Sequence, residues 1–283
     1  MSNFVDYANT RKKMTNKECK EHIINVLTVT PDNDKRDASD KFPCCVTFVD
    51  WNKKEIDNQP EGFDWQQFWR DCKEYYPLHS VAGGYTFKNE EQIKDEEYRN
   101  VPVDVLPKRK GKVLEIGFGF GGAARRFKEK GFKYYGIDYV TSGTPNREYG
   151  DFIEIKESGI PKELLKNKGK FSMVYSDNVF QHLTSKQRKE YYDQVHTILK
   201  PGGTFYFSLF TRNEDGMKEY YSCPEHKNHG YATHFFGVHT NVPNLSKLKR
   251  HLKKVGFDIV SENRRRLWGD IRTDVTRLVL KKR

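Results

Sequence analysis

Residues 113–127, VLEIGFGFGGAARRF, decide how the rest of the chain is read. An apolar run ending in the acid Glu115 has the pattern of a buried strand, and GGAARRF has that of a helix. Between them, glycines at 117, 119 and 121 permit a tight turn and let a ligand approach the backbone with no Cβ in the way. The helix starting near Gly122 adds unpaired N–H groups and a positive dipole end at the same spot. More than one ligand suits this segment. Gly117, Gly119 and Gly122 satisfy G-x-G-x-x-G, the dinucleotide fingerprint, and Asp138, 21 residues beyond Gly117, stands near the expected ribose-binding acid.

Outward from this stretch, residues 108–283 alternate strand and helix patterns, as a sheet covered on both faces requires. KVLEIG, KYYGID, FIEIKE, FSMVYS and GTFYFSLF read as five strands. GGAARRFKEKG, PKELLKNKG and SKQRKEYYDQVHTILK read as helices between them, the last capped by Ser185. A polar, aromatic insertion covers 211–243, followed by the helix NLSKLKRHLKKVG and two final strands, FDIVSENRRR and DVTRLVLKK. The predicted fold is α/β: a doubly wound, mostly parallel, seven-stranded sheet with its last strand antiparallel. Residues 1–107 form an N-terminal extension or cap. In it CCVTFVDW reads as a strand and DWQQFWRDCKEYY as a helix with Trp65, Phe68 and Trp69 on its core side. Pro102 and Pro107 bracket the boundary.

With 36% hydrophobic residues, 19 Phe and 16 Tyr, the chain can build a core and is unlike a disordered one. No apolar stretch reaches the roughly 20 residues of a membrane span, and MSNFVDYANTRKKM lacks a signal peptide's apolar segment. The expectation is a cytoplasmic protein with five reduced cysteines. The net charge of +11 fits either a polyanionic partner or a solvated, Lys-rich surface. Its basic residues are scattered along the chain, with runs at Arg11–Lys13, Lys162–Lys170, Lys247–Lys254 and Arg264–Arg266.

Glu115 bears on the choice of ligand. A carboxylate beside the loop repels a pyrophosphate, whereas the ammonium and sulfonium of S-adenosylmethionine favour it. VLEIGFGFG resembles motif I, E/D-x-G-x-G-x-G, of class I S-adenosylmethionine-dependent methyltransferases, matching at Glu115, Gly117, Gly119 and Gly121. YYGIDYV, FSMVYSDNVFQHL, ILKPGGTFYFSLF and LKKVGFDIV are similar to later motifs of that family and follow in its order. The resemblance covers roughly residues 108–283. It implies S-adenosylmethionine as cofactor, with Phe118 in the loop, Asp138 on the ribose hydroxyls and Tyr139 against adenine. Little room remains for a helix between Asp138 and FIEIKE, since VTSGTPNREYG reads as loop. Glu157 and Ser158 are therefore preferred as adenine contacts, with Asp151 as the alternative. Tyr85 or His79 in YYPLHSVAGGYTF can close the site from the N-terminal side, and Asp177 and Asn178 face either cofactor or acceptor.

Methyl transfer to a hydroxyl benefits from a base, because the proton must leave. The [DN]-P-P-[YFW] motif of amino-group methylation is absent, and Cys223 precedes Pro224, the reverse of the order in cytosine-C5 enzymes. His182 matches a histidine common in the family and serves either as a base or in packing. The insertion holds His226, His229, His234 and His239, with His229 and His234 the preferred bases and Tyr231, Phe235 and Phe236 an aromatic wall; a solvent-facing loop is the plainer reading. Cys223, His226 and His229 have zinc-like spacing but no paired Cys-x-x-Cys, so no metal is expected. The expected function is O-methylation of a sugar, glycan or other polar small-molecule hydroxyl. The runner-up is an RNA- or cap-directed methyltransferase. A catalytically silent binding protein of the same fold is disfavoured by the intact Glu115, Gly119 and Asp138.

Overall fold

The computed structural model describes residues 46–49, 66, 101–142, 144, 146–216, 218, 231–234, 242–267 and 270–283. Its strands are β1 (Val46–Val49), β2 (Lys112–Ile116), β3 (Lys133–Asp138), β4 (Asp151–Glu154), β5 (Phe171–Ser176), β6 (Leu199–Arg212), β7 (Tyr231–His234), β8 (Phe257–Leu267) and β9 (Asp270–Lys282). The helices are α1 (Gly122–Glu129), α2 (Lys162–Leu165), α3 (Ser185–Ile198) and α4 (Leu245–Val255). Seven strands form one sheet in the order β4-β3-β2-β5-β6-β9-β8. Only β9 runs against the others, pairing antiparallel with both β6 and β8. This is the class I methyltransferase fold expected from the sequence.

Alternation along β2 separates the two faces. Val113 joins Phe127, Tyr134 and Tyr175 in a core under α1, while Leu114 and Ile116 join Tyr192, Val195 and Leu252 in a larger core under α3 and α4. The longer helices bury an apolar stripe at helical spacing, as α4 does with Leu245, Leu248 and Leu252. Its ends follow capping chemistry: Asn244 accepts the Lys247 N–H, and Gly256 takes a left-handed φ of 116°. The cap of α3 lies one residue earlier than expected. Thr184, not Ser185, accepts the Gln187 N–H while the Gln187 side chain bonds the Thr184 N–H, a reciprocal pair that Ser185 cannot make.

Two local features differ from the expected layout. The Pro-Gly-Gly turn lies within β6 as an irregularity, the register to β5 jumping from Phe171↔Leu199 to Met173↔Thr204. Separately, β1 pairs antiparallel with β7, so a strand of the N-terminal extension is joined to a strand of the 211–243 insertion, with Val46 opposite His234. The pairing is long-range, with 181 residues of sequence between Val49 and Tyr231, so no local turn signal announces it.

Candidate functional site

The site is assembled from strand ends. β2 delivers the chain to Gly117, which turns with φ +73°, and a Cβ there would stand 2.2 Å from Val179 Cγ2. The turn after β5 therefore packs directly on the glycine loop, and only glycine fits between them. The Gly119 N–H donates to Asp138 Oδ2 at 3.0 Å, and the Tyr139 N–H to Asp138 Oδ1 at 2.7 Å. These bonds fix the Asp138 carboxylate between the loop and the end of β3. The Phe118 ring takes no part in a ligand surface. It is buried edge-on against Phe152 at 4.8 Å, which leaves only its backbone for a ligand.

Glu115 lies below the loop on the α1 face, 4% exposed, and accepts the Tyr134 hydroxyl at 2.5 Å. Gly136 makes that reach possible, since a Cβ there would crowd both Tyr134 Oη and Phe118 Cδ1 at 2.8 Å. On the other side of β3, burial pushes the Tyr139 hydroxyl up to about 12; the Ser158 hydrogen bond opposes the shift, and the Asp138 and Glu157 charges add to it. Tyr139, Glu157 and Ser158 thus meet beside Asp138. Asp151 stands at the opposite end of β4, paired in register with Tyr135, whereas Glu154 is level with Asp138. Glu154 accepts from the Thr141 N–H and hydroxyl and from Gln66, which also donates to the Tyr139 carbonyl at 3.2 Å. Through Gln66 the N-terminal extension reaches this rim.

At the ends of β5 and β6 a second polar group forms. The Ser208 hydroxyl donates to Asp177 Oδ1 at 2.5 Å and accepts the Asn178 N–H at 2.8 Å. Asn178 has φ +55°, the one left-handed non-glycine among the described residues. Such a conformation persists where surrounding bonds enforce it, commonly at functional sites. Next follows the 3-10 turn Phe180–His182, with His182 8% exposed. Arg188 of α3 holds this turn from beneath, donating to the Leu183 carbonyl at 2.7 Å and the Phe180 carbonyl at 3.4 Å. Burial lowers the pKa of its guanidinium.

Asp138, Tyr139, Glu157, Asp177, Asn178 and His182 thus all sit at the sheet's C-terminal edge. His229 and Tyr85 lie outside the described residues, as do His79, Cys223, His226, Phe235, Phe236 and His239. His234 and Tyr231 are described only as backbone of β7. Sequence reasoning missed Tyr134, Gly136, Arg188 and Ser208. Their spacing carries no signal, because each acts on a residue of another element. Among the described residues no three His, Cys, Asp or Glu cluster as a metal site, and no helix is long and apolar enough to cross a membrane.

A cradle that any Cβ would fill, a carboxylate locked to its loop and a tyrosine at the end of the second sheet strand suit an adenosine cofactor. The comparisons agree. A family described as "Methyltransferase domain" matches residues 89–262. The chain is 26% identical to a sterol 24-C-methyltransferase of Kluyveromyces lactis over 53% of this chain and 41% of that one. It is 28% identical to a phosphoethanolamine N-methyltransferase of Plasmodium falciparum over 44% of this chain and 50% of that one. The chain thus spans about half the length of the curated relatives it matches. A Listeria monocytogenes structure assigned as an S-adenosylmethionine-dependent methyltransferase superposes with TM-score 0.50 at 19% identity, covering 69% of this chain and 100% of that one, a likeness of fold alone. The chain belongs to the methyltransferase-domain family and shares the fold of class I S-adenosylmethionine-dependent methyltransferases.

Proposed function

We propose that this methyltransferase acts on a hydroxyl of a sugar, glycan or comparable polar small molecule. The observation that carries the reading is the Asp177–Ser208–Asn178 group, hydrogen-bonded together at the strand ends with His182 on the same turn. Bound S-adenosylmethionine supplies a methyl group made electrophilic by its sulfonium. In this reading the Gly117–Gly121 loop and Asp138 hold the cofactor's amino-acid and ribose portions, and Tyr139, Glu157 and Ser158 flank its adenine. Asp177 and Asn178 orient the acceptor, so that its oxygen lies in line with the methyl group. The acceptor proton goes to an imidazole, which titrates near working pH: His182 on the β5 turn, or His229 or His234 from the insertion. Pairing of β7 with β1 supports a folded acceptor wall in that insertion.

A second reading, methylation of an RNA hydroxyl, uses the same chemistry and is favoured by the +11 charge. The test is release of S-adenosylhomocysteine over a panel of sugars, glycans, small amines, sterols and RNA. Turnover on sugars that falls roughly 10²–10⁴-fold in one His→Ala variant, with cofactor affinity retained, supports the first reading. Turnover confined to amines, sterols or RNA overturns it.

A further inference from the structure

We propose that the sheet edge formed by α4 and β8 is a docking strip for a single-stranded nucleic acid, built on its phosphate backbone. This inference is independent of which group receives the methyl. Residues 245–283 hold 13 Lys or Arg against 4 Asp or Glu, nine of the chain's eleven net positive charges. Two of the basic runs, Lys247–Lys254 and Arg264–Arg266, are brought together in space, because β8 is the outermost strand and α4 packs against it.

Three acids of this edge are already paired. Glu262 pairs with Lys249 at 2.6 Å and Arg264 at 3.3 Å, Asp274 with Arg264 at 3.7 Å, and Asp258 with Arg283 at 3.8 Å. Lys247, Arg250, Lys253 and Lys254 are exposed and have no acidic partner among the described residues. All four lie on α4, whose solvent side carries no acid at all. A cationic edge strand alone would be explained as protection against pairing with another sheet. That protection is already present, since a register shift at Ile259/Ser261 turns Val260 out to 60% exposure. The cations of α4 are one layer away from the strand edge and add nothing to it.

The shape is a strip, one helix wide. Lys247, Arg250 and Lys254 follow one another at i, i+3 and i+7, and α4 extends about 16 Å. β8 runs parallel to β6, both being antiparallel to β9, so its Arg264–Arg266 end lies at the sheet's ligand end. Two strand spacings, about 10 Å, separate that end from Ser208 of β6. A linear polyanion matches such a track, whereas a bilayer requires a broad face.

The experiment is fluorescence anisotropy of the full chain with a labelled single-stranded RNA of about 20 nucleotides, repeated over a salt series. Four phosphate contacts give a slope of log affinity against log salt of about −2.8, or about a 50-fold loss between 50 and 200 mM. The triple variant Lys247→Gln/Arg250→Gln/Lys254→Gln is expected to bring the slope to about −0.7. Lys108→Gln/Lys128→Gln/Lys130→Gln removes the same charge from exposed positions outside this edge and is expected to leave the slope unchanged. The proposal is overturned by equal slopes in the two variants, by absence of RNA binding, or by binding to phosphatidylserine vesicles in place of RNA.

Discussion

The Tyr134 hydroxyl reaches across Gly136 to donate to the buried Glu115 carboxylate at 2.5 Å, tying two neighbouring strands together beneath the glycine loop. A hydrogen bond to a charged group contributes about 1.5–3 kcal/mol. Tyr134→Phe keeps the ring packed against Phe127 and Phe152 and removes only the donor. Chemical denaturation of this variant is expected to show a loss of that size. Unchanged stability would mean that Glu115 is held by its other contacts alone.

Asp138 is bonded to the Gly119 and Tyr139 N–H groups, so its loss removes both a ribose acceptor and the tie that shapes the loop. Calorimetry with S-adenosylhomocysteine is expected to show Asp138→Ala weaker by about 1.5–3 kcal/mol or more. NAD is expected to give no heat with either protein. An unchanged affinity removes Asp138 from the ribose role.

Ser208 distinguishes the two roles open to Asp177 and Asn178. Ser208→Ala leaves the Asn178 N–H without its acceptor at a strained φ and frees one Asp177 oxygen. A destabilisation of about 1–3 kcal/mol is expected in thermal unfolding, with cofactor affinity retained and turnover reduced. A fall in cofactor affinity instead would place this group in the cofactor pocket.

Gln181 is fully buried on the same turn, and among the described residues neither its amide nitrogen nor its amide oxygen has a hydrogen-bond partner. An unsatisfied buried amide costs stability, so an apolar replacement of similar size is expected to be neutral or stabilising. A melting curve of Gln181→Leu checks this. Destabilisation would instead indicate a buried water bonded to the amide.

The pH dependence follows from His196 and His251. Burial is the main cause lowering both pKa values; Lys282 and Arg283 add to the shift at His196, and Lys189 and Lys254 at His251, with Asp193 opposing in each case. The folded state thus binds fewer protons than the unfolded one. Stability from these residues is full above about pH 6.5 and is lost as pH falls through the depressed folded values. Urea midpoints are expected to drop between pH 7.5 and 5.5, and less so in His196→Gln/His251→Gln. An equal drop in both proteins assigns the effect to other groups.

The sequence by itself determined the alternation of strands and helices and the glycine loop, and its resemblance to a known family supplied the cofactor class. The first two depend on local rules: period-two and period-3.6 hydrophobicity, glycine where φ is positive, and an acid at a strand end. Lys247–Lys254 on α4, read as one basic run, was also legible as a helix with an apolar underside. Tertiary structure alone decided which side chains complete the site. Tyr134 reaching Glu115, Ser208 bridging Asp177 and Asn178 and β1 pairing with β7 each join separate parts of the chain, and Arg188 folds back on the Phe180–Leu183 turn before its own helix. A hydroxyl or guanidinium in sequence shows its chemistry but not its partner, because the partner is chosen by how the strands stack and the helices pack. The same holds for charge: the spacing of the basic runs gave no patch, and the position of β8 at the sheet edge, with α4 beside it, made one.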